Sequence, residues 1–185
     1  MNMKLCFVLA ALTAASIAAF AQETPAAPAN PISASEKGFY GIVSGYVVAA
    51  AQKMPEENYS FKPTPDVRSF SQLVGHVADA QYFFCSTATG DANPMKAIEK
   101  TKTAKADLVA ALQDAVAYCS KAYAGMTDAQ GSQTVKFMNF NLARLTMLSV
   151  NTAHTDEHYG NMVTYLRLKG IVPPSSETPP NPGPK

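Results

Sequence analysis

Residues 147–170 read Met147-Leu148-Ser149-Val150-Asn151-Thr152-Ala153-His154-Thr155-Asp156-Glu157-His158-Tyr159-Gly160-Asn161-Met162-Val163-Thr164-Tyr165-Leu166-Arg167-Leu168-Lys169-Gly170. Met147, Asn151, His154, His158, Met162 and Tyr165 recur at three- and four-residue steps, so they share one helix face. Lys169 near the negative end of the helix dipole and Gly170 just beyond it form a C-terminal stop. The spacing predicts the chain's longest helix, from about Phe140 to Lys169.

Three more helices precede it. Ser33 with Glu36 reads as a capping box opening a helix that carries Phe39, Ile42, Val43, Tyr46, Val47 and Ala50 and stops near Met54, before Pro55. Pro63 and Pro65 keep residues 55–68 out of helix. Ser69 with Gln72 opens the second helix, with Phe70, Leu73, Val74, Val77, Ala80 and Phe84 on its apolar face, ending before Gly90. The third runs from about Thr103 to Ala124 and is closed by Gly125; Thr127 with Gln130 caps a short turn after it. No period-2 strand stands out. Four amphipathic helices without a sheet imply an all-α fold, a four-helix bundle in residues 33–172. Connections of ten or more residues imply that one of them crosses the bundle's length.

The chain has 185 residues, 47% hydrophobic, 16% charged, with a formal net charge of +1. That suits one domain with a substantial core. The basic residues form no stripe, which argues against nucleic acid as a partner. At the front, Lys4 precedes an apolar run from Leu5 to Phe20, and Ala19-Phe20-Ala21 offers a small-x-small cleavage pattern. The expectation is a signal peptide over residues 1–21, a flexible leader over 22–32 and a periplasmic or secreted protein with no membrane attachment after cleavage. Removing Lys4 would leave 14 basic residues of the original 15, against 14 acidic. Residues 173–185, with six prolines, read as a disordered tail.

The chain holds three histidines. His154 and His158, four apart, project from one helix face and are spaced to share one cation. Both point inward with the apolar stripe, where each ring needs a polar partner, and a shared cation gives one to both. His76, in the middle of the second helix, is the remaining candidate ligand. Thr155 stands where H-E-x-x-H peptidases place their general base, so that reading fails.

Arg68-Ser69-Phe70-Ser71-Gln72-Leu73-Val74-Gly75-His76-Val77-Ala78-Asp79 resembles the second-helix signature of DinB-like proteins. The stretch from His154 to Arg167, closing in Lys169-Gly170-Ile171-Val172-Pro173-Pro174, resembles that family's last-helix signature. The loop from Tyr59 to Arg68 fits as well. The resemblance implies up-down-down-up topology and a divalent metal, zinc or nickel, on His76, His154 and His158. It also implies a metal-dependent hydrolase or thiol transferase acting on a small molecule, and a homodimer is compatible with it. Two departures count against the thiol-transferase reading: those enzymes are cytoplasmic, and Glu157 and Tyr159 stand beside His158. The alternative is a non-catalytic, metal-binding or stress-related periplasmic protein.

Three imidazoles leave coordination positions open, the pattern of a catalytic site. Asp79, Asn151, Glu157 and Tyr165 are candidates for supporting the ligands or substrate, with core packing the competing role for Tyr165. In the family's topology the second and third helices run parallel, which brings Cys85 and Cys119 toward the same end; a disulfide or two buried thiols are the alternatives.

Overall fold

Ser69 begins the helix that carries His76, as its sequence predicts. Its hydroxyl accepts from Gln72 N at 3.2 Å, and the Gln72 side chain accepts from Ser69 N at 2.9 Å. The computed structural model describes residues 29–94 and 96–177. The expected signal peptide, most of the leader and the tail beyond residue 177 lie outside those residues. Four long helices carry the fold: α1 Pro31–Lys53, α2 Phe70–Thr89, α4 Lys105–Gly125 and α6 Arg144–Leu168. Two single-turn helices, α3 Ile98–Thr101 and α5 Asp128–Gly131, lie in the connections. Gly90 and Gly170 close α2 and α6 with φ of +84° and +72°, conformations that only glycine takes without strain.

The bundle is all-α in its layers and up-down-down-up in its topology. α1 and α2 each pack on both α4 and α6, which gives the cyclic order α1, α4, α2, α6. Cross-contacts fix the directions. Thr152 donates to Glu36, and Tyr159 stacks on Tyr46, so α1 and α6 ascend together. Arg68 meets Tyr165, His76 meets His154, and Gln81 meets Asn151, so α2 and α6 are antiparallel. Cys85 and Cys119, both late in their helices, are joined by a disulfide with Cα atoms 5.4 Å apart, so α2 and α4 are parallel.

Parallel neighbours require a return connection. Residues 90–104 make it, and α3 within them lies on α2 at Gly75. A Cβ on Gly75 would fall 2.6 Å from Glu99 Cα and 2.8 Å from Glu99 N, so this approach needs glycine. Leu108, Leu112, Met147, Met162 and Leu166 are fully buried between the long helices, each contributing about 1.5–3 kcal/mol. A buried polar chain crosses the core. Tyr40 donates to Gln81 Oε1 at 3.0 Å, Asn151 donates to the same oxygen at 3.1 Å, and Gln81 donates to Thr155 Oγ1 at 2.8 Å.

Three boundaries differ from the sequence reading. α1 starts at Pro31, and Ser33 does not cap it. The capping acceptor is Asp128, whose carboxylate takes Ser33 N at 2.8 Å and Ile32 N at 3.2 Å. Those bonds, led by the one from Ser33, hold the Asp128 carboxyl below its usual range. Glu36 instead accepts the Thr152 hydroxyl. α6 begins at Arg144, because residues 140–143 pair as β2 Phe140–Ala143 with β1 Thr134–Phe137 in an antiparallel hairpin, Phe137 opposite Phe140. Four-residue strands give too short an alternation to read, and the positive-φ position at the tip holds Met138 (φ +51°), where glycine or asparagine would have signalled a turn. The proline-rich tail is ordered as far as residue 177. Ser175 N and the Tyr159 hydroxyl are 2.9 Å apart, and Lys53 pairs with Glu177. Among the described residues no helix is long and apolar enough to cross a membrane.

Candidate metal centre

The capping box sets the start of α2 and therefore the turn on which His76 sits. Antiparallel packing brings that turn to the one on α6 that carries His154 and His158. The three Nε2 atoms converge: His154 Nε2 lies 3.2 Å from that of His76 and 3.1 Å from that of His158. The potential ligand atoms of the three residues all lie within 4.8 Å of one another. An ion bound tetrahedrally to imidazole at roughly 2.0–2.1 Å would hold its nitrogens about 3.3 Å apart. The two separations about His154 match that value, and the three residues together could hold a metal ion.

The donor chemistry fits a cation. His76 Nδ1 meets Glu99 Oε2 at 3.2 Å. A carboxylate accepts only, so the ring's proton sits on Nδ1 and the Nε2 lone pair faces the centre. His158 Nδ1 lies 3.3 Å from the Asn161 amide. His154 Nδ1 is buried without a hydrogen-bond partner, and the ring packs edge-on to Phe84 with centroids 5.2 Å apart. Burial, with the neighbouring His158, His76 and Arg68 charges, holds the His154 pKa down to about 4. Burial also lowers that of His158, aided by His76 and opposed by Glu157 and Glu99. Both rings are thus kept neutral, the state in which imidazole binds a metal.

The four residues expected to support the ligands take other places, and none hydrogen-bonds a histidine ring among the described residues. Asp79 accepts Ile98 N at 2.8 Å and Glu99 N at 3.0 Å, so it anchors the turn that presents Glu99 to His76. Asn151 is fully buried in the polar chain, bonded to Gln81 and to Tyr123. Tyr165 donates to the Arg68 carbonyl at 2.6 Å and ties the loop before α2 to α6. Glu157 is exposed and lines a cavity of about 530 Å³ beside His158. Glu99 and Asn161 are the partners that sequence reasoning missed. Asn161, three residues after His158 on one helix, carried a readable signal. Glu99 sits in a connection with none; the bond from Arg68 Nε to Glu99 Oε1, at 2.9 Å, completes its environment.

A second cavity, of about 390 Å³, opens on the His76 and His154 side; Glu99 lines both. Water or a small molecule can therefore reach the centre from two directions.

No curated protein matches the chain in sequence. Among solved structures it is similar to a DinB-like protein of Bacillus cereus, at 13% identity and a TM-score of 0.68, covering 76% of this chain and 95% of that one. A DinB-like protein of Bacillus subtilis follows, at 19% identity and 0.62, covering 75% and 93%. A conserved protein of Enterococcus faecalis gives 15% and 0.61, covering 74% and 95%. At these identities the likeness speaks for the fold. The sequence pattern of the DinB superfamily, however, matches residues 43–162, which include every histidine of the cluster. The topology, the match and the placement of the two histidine-bearing helices agree: this chain belongs to the DinB superfamily.

Proposed function

We propose that this protein is an exported metalloprotein that binds one divalent cation, zinc or nickel, through Nε2 of His76, His154 and His158, and acts on a small molecule as a hydrolase or transferase. One observation carries the reading: Nε2 of His154 lies 3.2 Å from that of His76 and 3.1 Å from that of His158, close to the spacing of nitrogens that share one ion. Bound there, a divalent ion supplies a Lewis acid that lowers the pKa of a coordinated water toward about 7 or stabilises a thiolate. The chain's own part is to hold the rings. Glu99 fixes the His76 tautomer, Asn161 orients His158, and packing against Phe84 sets His154. Two cavities at the cluster favour a reacting site over a storage site, since a closed four-ligand cage would need neither. Export rests on the apolar run from Leu5 to Phe20 and the Ala19-Phe20-Ala21 pattern.

Metal analysis of protein purified without an affinity tag tests the centre. The expected result is close to one zinc or nickel per chain, lost on His154→Ala. Absence of stoichiometric metal, after incubation with either ion at neutral pH, refutes it. N-terminal sequencing of the mature protein tests export, with Gln22 as the expected first residue.

A further inference from the structure

The two cavities at the histidine cluster differ in charge. Asp66 and Glu157 line the His158 side, and neither forms an ion pair among the described residues. On the His76 and His154 side the two acidic groups are already engaged. Glu99 holds Arg68 Nε and His76 Nδ1, and Asp79 holds the backbone N–H groups of Ile98 and Glu99. Lys96 and Lys100 line this cavity too, matching the two carboxylates in number, and neither lysine forms an ion pair among the described residues. Its opposite wall is aromatic. Phe84 packs on His154, Phe83 is 42% exposed, and Phe137 of the hairpin packs on both, with centroids 6.1 and 6.0 Å away.

We infer that the ligand of this centre is an organic anion with an aromatic or aliphatic body, which lies on Phe83 and Phe84 while its anionic group pairs with Lys96 and Lys100. This rests on the metal-centre reading above. An apolar floor with two cations at its rim selects for amphiphilic anions: a neutral analogue lacks the ion pairs, and a small anion lacks the ring contacts. On the other side Asp66, Glu99 and Glu157 outnumber Arg68, so the same molecules are disfavoured there and the His158 side is left to water.

The test uses the purified zinc-loaded protein and three probes, 3-phenylpropanoate, 3-phenylpropan-1-ol and acetate, with binding followed by calorimetry and zinc content measured in every sample. The carboxylate with the ring is expected to bind about tenfold more tightly than either of the others, and its affinity to fall with salt. Lys96→Gln with Lys100→Gln should weaken it about three- to tenfold, Phe83→Ala by a similar factor, and the distant Lys121→Gln not at all. Equal binding of acid and alcohol, unchanged binding by the double lysine variant, or no binding of any probe overturns the inference. Zinc content reads the metal centre separately: an empty protein refutes that reading, whereas a full one that fails to discriminate refutes only the ligand class.

Discussion

Gly75→Ala places a methyl group where the connection between α2 and α4 crosses the helix. The new Cβ would lie 2.6 Å from Glu99 Cα, against about 3.4 Å for ordinary contact, and the atom it meets is backbone, which no side-chain rotation can move away. α3 must therefore shift by about 0.8 Å or more, and the 3.2 Å contact between Glu99 and His76 passes out of hydrogen-bonding range. Two effects on stability oppose each other. Alanine improves helix propensity by about 1 kcal/mol, while overpacking costs about 1–3 kcal/mol, so the metal-free protein should lose between nothing and about 2 kcal/mol. Metal affinity should suffer more, because loss of an outer carboxylate from a ligating histidine typically costs about 10–100-fold. Zinc affinity by chelator competition, alongside denaturant melts of the apo-protein, separates the two. The decisive comparison is with Glu99→Ala: if the glycine acts through Glu99, adding Gly75→Ala to that variant should change zinc affinity little. A Gly75→Ala protein that binds zinc like the parent, or a double variant in which the two losses multiply, would refute this chain of cause.

Asn161→Ala should weaken zinc binding about tenfold with little effect on folding, checked by the same competition assay; an unchanged constant would leave His158 oriented by packing alone. In the metal-free protein His154 resists protonation down to about pH 4, whereas the unfolded chain takes up that proton near 6.5. Between those values the unfolded state binds more protons, so stability should fall as pH falls through the window, and urea melts that show no loss from pH 7 to 5 would contradict the burial of that ring. Replacing Cys85 and Cys119 together by alanine should cost about 3–4 kcal/mol, the loop-closure value for a separation of 34 residues, without disturbing zinc affinity. An unaltered denaturation midpoint on reduction would show that the bond adds nothing to stability.

Much of the bundle was legible because its helices announce themselves locally. Ser69 with Gln72 and Thr127 with Gln130 both form the reciprocal caps their spacing predicts, and Gly90 and Gly170 end helices as glycines do. The four-residue step between His154 and His158 placed both rings on one face, and the single remaining histidine left few options for a third. What could not be read was long-range. Asp128 caps α1 from 95 residues away, so Ser33 with Glu36 looked like the start of a helix that in fact begins earlier. The hairpin was hidden by short strands and by Met138 at the turn. Glu99 reaches His76 only because the crossover folds back on Gly75, an adjacency that no helical period encodes. The expected helpers Asp79 and Asn151 were placed near the ligands by spacing alone. The fold sends Asp79 to the backbone of α3 and Asn151 into the core.

The three nitrogens come from two antiparallel helices, one from α2 and two from α6, so the gap between them depends on how those helices are aligned lengthwise. Sliding α6 by one residue would carry its pair of rings about 1.5 Å past His76. Bonds on both flanks forbid this: Tyr165 to the Arg68 carbonyl on one side, Gln81 to Asn151 and Thr155 on the other. The spacing of the rings is therefore set by the lengthwise alignment of the two helices. The geometry of the histidine cluster is thus built into the alignment of the scaffold.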